Sequence, residues 1–354
     1  SPPAPHNSMS LVINGRFLAR PVTGTERYGR LLLRLIAQAW PDSRVIVPKG
    51  SPEKLDACGL AVERVGNTSG HVWEQMELPR AAGKGDVLLS PANSGPLSVA
   101  RHVPVVHDLA YLHHPEWFNS RFATWYKLLI PRMLRRAERV ITVSGTVQQE
   151  LQRYYGIGPD KSFVVPPYVL PSLLPANGSA PEQCPYYLMV ASLDPRKGID
   201  RVLNWYTGLH RPAFDLLIVG RKHRAFAPVT IPDHPGLHIL NDVDDARLGG
   251  LYRDAIALIQ PSYYEGFGLP ILEAITIGTP VITGHLNVFT EQFGDAVIEA
   301  DIGYTRSMMR AMVTVNQPHM RAEQVARGHE RARAFSEERT MAALREVLGP
   351  LIQG

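Results

Sequence analysis

Cysteine and long apolar runs are what this sequence of 354 residues has least of. Its two cysteines, Cys58 and Cys184, lie far apart, which argues against a disulfide framework and against a cysteine-based metal site. No run of about eighteen apolar residues occurs, so no membrane-spanning segment is expected. Met9 leads directly into a strand-like apolar run without the regions of a secretory signal, and a cytoplasmic protein is the simplest expectation.

A strong excess of one charge is absent as well. The net charge is +4, from 37 basic and 33 acidic residues, and most basic residues are dispersed. This is no nucleic-acid footprint, so nucleic acid is not expected as a partner. Arg132, Arg135, Arg136 and Arg139 form the densest basic group, which we interpret as a solvated helix face. A contact of this group with an anionic membrane surface stays open as an alternative.

Short apolar runs alternate with longer amphipathic segments through both halves of the chain. Several runs are apolar on consecutive positions, as in parallel strands covered on both faces. Strands are predicted at 11–14, 44–47, 87–90, 103–107, 140–143 and 163–165, and then at 187–191, 216–219, 237–240, 257–260 and 281–283. Helices are predicted at 26–40, 121–137, 146–155, 200–209, 245–254 and 269–277, followed by a charged helical tail. This alternation predicts an α/β fold of parallel sheets with βαβ crossovers.

A segment rich in Pro, Ala, Asn, Gly and Ser, residues 166–185, separates the two halves. We therefore predict two Rossmann-like, doubly wound parallel-sheet domains that face an interdomain cleft. The predicted boundaries are 9–170 for the first domain, 171–185 for the linker, 186–335 for the second domain and 336–354 for a terminal helix that can pack back on the first domain. The first eight residues are typical of an added tag. In open parallel sheets, ligands bind beyond the carboxyl ends of the strands, so the chemistry is expected in the segments that follow them.

The strongest chemical signal follows the predicted strand at 257–260. A loop carries Glu265, Gly266 and Gly268, and a helix then begins with Glu273 about one turn inside it. The glycines let the backbone approach a ligand closely, and N–H groups at the helix start suit a diphosphate. Carboxylates accept paired hydrogen bonds from vicinal hydroxyls, which sugars and ribose supply. Each acid alone could be a surface charge or a favourable charge in the first helical turn, but together they favour a ligand site.

Two cations follow the predicted strand at 187–191. Arg196 and Lys197 stand at the predicted start of a helix, where the helix dipole disfavours positive charge. A bound anion is expected to resolve this conflict, because Arg contacts phosphate bidentately and Lys supplies a point charge. A solvated pair of cations is the alternative.

Weaker signals occur in the first half and near residue 243. Gly24, between the first strand and first helix, is a single glycine and no dinucleotide-binding fingerprint. His107 is predicted to end a buried strand, either as a cleft residue or as a satisfied core histidine. The spacing of His107, His113 and His114 argues against a metal site. Asp242-Val-Asp244 superficially matches an Asp-x-Asp metal motif, but helix capping is the better interpretation.

From Met9 onward the sequence resembles the retaining glycosyltransferases of family four, which have the GT-B fold. The segment from Glu265 to Glu273 is similar to that family's E-x7-E motif. Trp73-Glu-Gln75 and His107-Asp108 are similar to a bacterial branch that builds O-antigen, capsule or exopolysaccharide, often with mannose donors. One departure is Ala191-Ser192, which stands where many members have Gly-Arg.

The resemblance implies a nucleotide-sugar site in the second domain and an acceptor side in the first. Glu265 is implied to bind the donor-sugar hydroxyls and Glu273 the ribose. Arg196 and Lys197 are implied to bind the diphosphate, with Arg196 in place of the missing family arginine, and His107 to position the sugar. The implied catalytic residues are thus His107, Arg196, Lys197 and Glu265; further donor contacts are Gly24, Gly266, Phe267, Gly268 and Leu269, and acceptor-side residues are Asp108 and Tyr111.

The activity expected from this resemblance is transfer of a hexose, with GDP-mannose as the preferred donor, to a glycan or lipid-linked glycan. Retention of configuration and no metal or other cofactor are expected. A UDP- or dTDP-sugar donor and a sugar-nucleotide epimerase on the same fold stay open. A Rossmann dehydrogenase is disfavoured because the glycine fingerprint is missing, and a non-catalytic carbohydrate-binding protein because Glu265, Glu273 and Lys197 are all present. Peripheral contact with the inner membrane is implied by the family alone.

Overall fold

The apolar runs of the first half form a parallel sheet. The computed structural model of the chain describes residues 10–174, 184–210, 212–221 and 230–352. The strands of this sheet are β1 Leu11–Asn14, β2 Arg44–Pro48, β3 Ala61–Val65, β4 Val87–Ser90, β5 His102–Val106, β6 Val140–Thr142 and β7 Ser162–Val164. Their order is β3-β2-β1-β4-β5-β6-β7, and all neighbours run parallel. Strands β1, β4 and β5 are buried along their whole length, as their consecutive apolar residues predict.

Amphipathic segments between these strands form helices. They are α1 Gly24–Ala39, α2 Gly70–Met76, α3 Leu78–Ala81, α4 Ala110–His113, α5 Ser120–Arg136 and α6 Gly145–Tyr155. The ends of α6 follow local rules. The Ser144 hydroxyl accepts a hydrogen bond from the Val147 N–H at 3.2 Å, and Gly156 ends the helix in a left-handed conformation.

The second half repeats the pattern in a six-stranded parallel sheet. Its strands are β8 Tyr186–Val190, β9 Asp215–Val219, β10 Leu237–Leu240, β11 Leu258–Gln260, β12 Val281–Thr283 and β13 Ile298–Glu299. The order β10-β9-β8-β11-β12-β13 reverses direction between β8 and β11. The prediction of two doubly wound parallel sheets is therefore confirmed.

Seven further helices follow in the second half of the described chain. They are α7 Ile199–Thr207, α8 Asp245–Asp254, α9 Leu269–Ile277, α10 Asn287–Phe293, α11 Thr305–Asn316, α12 Pro318–Ala332 and α13 Glu337–Ile352. Tyr187, Ile218 and Ile259 of the sheet pack with Trp205 of α7 and Met308 of α11 in the core of this half. Among the described residues, no helix combines the length and the apolar character that a membrane crossing needs.

Backbone contacts divide the chain into two units. The first unit contains residues 10–109, 124–167 and 338–352, and the second contains residues 110–123 together with the described part of 168–337. Within the first unit, α13 is held by hydrogen bonds from Arg139 to the Glu346 carbonyl at 2.8 Å and from Thr340 to the Pro166 carbonyl at 2.9 Å. The predicted boundaries did not assign residues 110–123 to the second unit. Of the predicted linker, residues 175–183 lie outside the described residues.

Two strands were absent from the sequence prediction, and both lack a continuous apolar run. Strand β3 lies at the sheet edge with its first three residues exposed, and β13 has only two residues. The predicted strand at 103–107 ends one residue earlier, so His107 directly follows β5 instead of ending it. The short helices α2, α3 and α4 were also missed, because segments of four to seven residues are too short to show helical periodicity.

Candidate functional site

The second sheet brings the two strongest sequence signals to one point. Strand β8 leads to Arg196 and Lys197, and β11 leads to Glu265; these two strands are neighbours at the reversal of strand order. Ligands of doubly wound sheets bind at such a reversal, beyond the carboxyl ends of the strands. The Lys197 ammonium lies 2.7 Å from Glu265 Oε1, and the two side chains are 14% and 9% exposed. An ion pair at the rim of the sheet thus joins the two loops.

Glu265 is held by three donors, and all of them reach the same oxygen. Besides Lys197, the Gln260 amide donates to Oε1 at 3.1 Å and the Ser262 hydroxyl at 2.8 Å. Gln260 also donates to the Ser262 hydroxyl at 2.8 Å, while its own buried Oε1 has no hydrogen-bond partner. None of the three donors reaches Oε2 of Glu265. Among the described contacts, the carboxylate is therefore fixed by one oxygen.

Gln260 and Ser262 were not singled out from the sequence. Gln260 is the last residue of β11 and is fully buried, as is Ser262 two positions later. A polar residue that closes an apolar strand next to a proline was the available signal. Such a buried amide costs free energy unless it is hydrogen-bonded, which here ties it to the acid.

Two glycines shape the loops around this ion pair. Gly198 has a φ of +66°, and a side chain there would overlap the Pro261 carbonyl oxygen. A hydrogen bond from the Tyr263 N–H to the Arg196 carbonyl at 2.9 Å holds the loop after β8 against the loop after β11. Gly268 has a φ of +105° and precedes α9, and a Cβ there would lie 2.9 Å from the Phe289 ring. Its backbone therefore requires glycine on both conformational and steric grounds.

Helix α9 begins as the sequence predicts, with Leu269 and Pro270 in its first turn and no side-chain cap. The N–H groups of this turn have no capping side chain to accept from them, which suits an anion. Gly266 and Phe267 just before it are buried, and Phe267 packs edge-on against the Phe293 and Phe335 rings.

Glu273 lies one turn into α9 and is only 3% exposed. Its Oε2 accepts a hydrogen bond from the Tyr252 hydroxyl of α8 at 2.8 Å. A buried carboxylate with this partner is more than a favourable charge in a first helical turn, since that role needs no burial.

That a bound anion compensates Arg196 and Lys197 stays a prediction, and the structure adds acids of the protein itself to these two cations. Both have protein carboxylates nearby: Lys197 pairs with Glu265, and Arg196 Nε lies 3.7 Å from Oδ1 of the buried Asp194. The Ser192 hydroxyl donates to Asp194 Oδ2 at 2.5 Å. The two cations also form a 3-10 turn ahead of Gly198 and α7, and so do not stand in the first turn of that helix. A sequence pattern cannot show these acids as partners, because Glu265 is 68 residues away.

His107 belongs to the first unit, where its ring is nearly buried. Its ring Nε2 donates to the Pro91 carbonyl at 2.7 Å, and its backbone N–H donates to the Asn93 side-chain oxygen at 2.6 Å. The carbonyl can only accept, so Nε2 carries the proton. The Tyr28 ring meets the imidazole edge-on at 5.1 Å. These contacts fix the orientation of the histidine.

The remaining predicted residues are divided between the units. Gly24 opens α1 in the first unit, and a Cβ there would meet no atom within 4 Å. Asp108 is half-buried in the first unit, whereas Tyr111 on α4 is buried in the second. The structure therefore brings Lys197, Glu265 and the start of α9 together in one unit, and His107, Asp108 and Gly24 belong to the other.

A second carboxylate network, in the first unit, was noted in the sequence only as part of Trp73-Glu-Gln75. Glu74 Oε1 accepts hydrogen bonds from Asn14 at 2.8 Å and Ser94 at 3.1 Å, and Arg16 Nε lies 3.5 Å away. His71 Nδ1 donates to Oε2 at 3.1 Å. The network lies where β1 and β4 meet, which is the reversal point of the first sheet.

The pKa of Glu74 reports how strongly this network favours the charged carboxylate. Burial by itself raises the pKa, but the hydrogen bond from His71, the charge of Arg16 and the hydrogen bond from Asn14 outweigh it and lower the pKa to about 2. Nearby, burial lowers the pKa of His102 to about 4, which keeps this imidazole neutral beside Ser90. The network is thus a closed arrangement around a carboxylate that stays charged well below neutral pH.

Asp244 confirms the capping interpretation of the Asp-x-Asp segment. Its side chain accepts from the Arg247 N–H at 2.8 Å at the start of α8. Over the described ranges, no group of three or more His, Cys, Asp or Glu side chains is arranged to hold a metal ion.

Two family models match the chain in succession. Residues 22–172 match the model described as Glycosyltransferase Family 4, and residues 174–308 match the model described as Glycosyl transferases group 1. Together the two matches take in most of the chain.

Several curated relatives carry mannosyltransferase names. The O-antigen chain mannosyltransferase RfbU of Salmonella typhimurium is 23% identical over 328 residues, which cover 87% of this chain and 91% of RfbU. The serotype-specific mannosyltransferase WbdA of Escherichia coli is 29% identical over 213 residues, 53% of this chain. The match spans only about a quarter of the length of WbdA, namely 26%.

Solved structures share the fold. HepE of Anabaena, determined with UDP and glucose, has a TM-score of 0.76 at 15% identity over 96% of this chain and 99% of its own. A sucrose-phosphate synthase of Thermosynechococcus elongatus has a TM-score of 0.74 at 17% identity, over 98% of this chain and 99% of its own. At these identities the likeness establishes the fold, which confirms the predicted GT-B architecture.

Proposed function

Because the chain belongs to the glycosyltransferases of family four, we propose that it transfers mannose from GDP-mannose, with retention of configuration, to a growing surface polysaccharide. The names of RfbU and WbdA support the mannosyl group and the polysaccharide. The observation that carries the proposal is the Lys197–Glu265 ion pair at the reversal of strand order, next to the uncapped start of α9.

The ion pair supplies both halves of donor recognition. Glu265 Oε2 accepts from sugar hydroxyls, because Oε1 is already occupied by Lys197, Gln260 and Ser262. Lys197 faces the diphosphate with its remaining N–H donors, aided by Arg196 and by the first N–H groups of α9. Glu273, whose Oε2 accepts from the Tyr252 hydroxyl, accepts from the ribose hydroxyls.

Charge stabilisation drives the transfer. As the glycosidic bond to phosphate breaks, the sugar becomes oxocarbenium-like and the diphosphate gains negative charge. Lys197, Arg196 and the amides of α9 are fixed before the reaction and stabilise that charge without reorganisation. The acceptor hydroxyl attacks the face that the diphosphate leaves and gives its proton to the departing phosphate, which retains the configuration. The cations and amides take the role that a divalent metal has elsewhere, so no metal is needed. We assign no protein nucleophile.

His107 positions the sugar in this proposal, with its proton on Nε2. Gly24 is assigned to the donor phosphates on the family resemblance. Asp108 and Tyr111 are assigned to the acceptor side. A lipid-linked acceptor would bring the enzyme to the cytoplasmic face of the inner membrane as a peripheral protein.

A UDP-sugar donor is the second candidate. It is favoured by the likeness to HepE, whose structure contains UDP and glucose. A thermal-shift panel of GDP, UDP, dTDP and ADP separates the donors, since a ligand that binds only the folded state raises the melting temperature. We expect the largest shift with GDP. A larger shift with UDP would replace the donor, and no shift with any nucleotide would contradict the proposal.

Once the nucleotide is known, the reaction of the nucleotide-sugar is tested. With GDP-mannose, we expect release of free GDP and of mannose, and NMR should show the α anomer of mannose first. Conversion of the donor into another intact nucleotide-sugar would indicate an epimerase instead.

A further inference from the structure

Five aromatic rings from two distant segments of the second unit lie together, and we call them the aromatic cluster. The members are His113, His114, Trp117, Tyr263 and Tyr264. His113 lies 5.2 Å from Tyr264, and Trp117 lies 6.2 Å from Tyr263, measured between ring centroids. The His114 ring stacks on Trp117 at 3.8 Å. The contacts explain why residues 110–123 group with the second unit.

The cluster remains accessible, although aromatic surface gains free energy by burial. Tyr263 is 41% exposed, and the other four rings are only partly buried. Polar groups border the rings. The Tyr263 hydroxyl donates to Asp200 at 2.8 Å, the Arg201 guanidinium lies 5.0 Å from its ring centre, and His114 Nδ1 donates to Glu116 at 3.0 Å.

This composition fits a saccharide. A pyranose ring has a C–H face that packs on an aromatic ring and a rim of hydroxyls that hydrogen-bond to acids and amides, and such mixed sites are the rule for small polar ligands. An acyl chain would gain nothing from Asp200 and Glu116. A nucleobase could also stack, and the experiment below distinguishes this alternative.

The place of the cluster in the loop specifies which saccharide. Tyr264 immediately precedes Glu265, whereas the helix start assigned to the diphosphate follows Glu265. A sugar held by the rings would therefore lie near Glu265, the residue assigned to the donor sugar. We propose that the aromatic cluster binds the terminal sugar of the acceptor glycan, an inference that rests on the proposed transferase function.

Saturation-transfer NMR tests the proposal with a panel of methyl α-glycosides of mannose, glucose, galactose and rhamnose, each added to the protein with GDP present. We expect binding of at least one glycoside, weakened about tenfold by Trp117→Ala, the scale of one aromatic contact. Trp117→Phe should retain most of the binding. Tyr263→Ala, at an exposed position, serves as a second variant in case Trp117→Ala does not fold. Trp125→Ala, at a tryptophan that is 37% exposed in the first unit, is the matched control and should bind as wild type.

Three results would overturn the proposal: no glycoside binds to a protein that GDP stabilises, Trp117→Ala and Tyr263→Ala bind as wild type, or Trp117→Ala abolishes the thermal shift by GDP. The last result would identify a nucleobase platform. If no nucleotide shifts the wild-type protein, the proposed function fails by itself, and glycoside binding that depends on Trp117 would still support a sugar site.

Discussion

Glu74 in the first unit and Glu265 in the second lie at corresponding points of their sheets, where the strand order reverses. Each is paired with a cation, Arg16 or Lys197. Glu74 is 1% exposed and receives hydrogen bonds on both oxygens, whereas the three donors to Glu265 all reach one oxygen. The same position thus carries a closed structural network in one sheet and, in the other, a carboxylate that the described donors hold by one oxygen, which we propose as the open binding group. The number of satisfied oxygens distinguishes the two roles better than the presence of an ion pair.

The largest effect is expected from breaking the closed network. Glu74→Ala leaves Arg16 buried without its partner, which should lower the free energy of unfolding by about 3–5 kcal/mol. Denaturant titration measures the loss. Glu63→Ala, which breaks the exposed pair with Arg44, is the control and should cost less than about 1 kcal/mol. Equal losses of stability from the two substitutions would contradict a structural role of Glu74.

Acid should weaken the stabilising effect of the same network. The pKa of Glu74 is about 2 in the folded protein against an ordinary value of 4.5. A depressed pKa contributes stability above the unfolded value, and this contribution is lost as the pH falls from about 4.5 towards about 2. The stability difference between wild type and Glu74→Gln should therefore shrink over this window, because a protonated glutamate resembles glutamine. A difference independent of pH would show that the charge of Glu74 does not matter.

The open site should respond in turnover and not in stability. Lys197→Ala removes the charge that we propose stabilises the departing diphosphate, and kcat should fall by about a hundredfold or more. Release of GDP from GDP-mannose measures it, with unfolding curves recorded on the same samples. Lys161→Ala, at a lysine of the first unit that bonds only to the Arg135 carbonyl among the described contacts, should leave kcat unchanged. Near-normal turnover of Lys197→Ala would sink the assignment.

A smaller effect should follow from loosening Glu265. Gln260→Leu removes one of its three donors, and kcat/KM should fall about tenfold, the scale of one hydrogen bond to a charged group. Stability should change little, because the Gln260 Oε1 is itself buried without a partner. Gln324→Leu, at a buried glutamine that bonds to the Asp295 carbonyl, is the control. Unchanged kcat/KM in Gln260→Leu would show that Lys197 and Ser262 suffice.

The sequence predicted what depends on local pattern. The strands that place the site, the start of α9 with Pro270, and the position of Glu273 inside it all follow from apolar runs and helix-end rules. Residue types also made Glu265 and Lys197 two separate candidates for the site. What sequence could not show is their pairing, because it depends on packing between β8 and β11. The grouping of residues 110–123 with the second unit likewise depends on ring contacts between distant segments.

The sequence pattern also failed to predict the edge strand β3 and the short elements. Strand β3 at the sheet edge has an exposed Glu63 and no continuous apolar run, so the pattern for a buried strand is missing. The sequence did not predict the Glu74 network for a different reason. Its members come from three segments, and only the fold brings Asn14, Arg16 and Ser94 to one carboxylate.

The most direct test is to measure, by NMR, the rate of GDP release from GDP-mannose and the anomer of mannose that forms first. Wild type, Lys197→Ala and Glu74→Gln are compared at a temperature where all three are folded. We expect α-mannose as the first product of the wild type, a rate about a hundredfold lower in Lys197→Ala, and a nearly normal rate in Glu74→Gln. Initial formation of the β anomer would contradict the retaining mechanism. A normal rate in Lys197→Ala, or an equal loss in Glu74→Gln, would contradict the distinction between the open and the closed carboxylate.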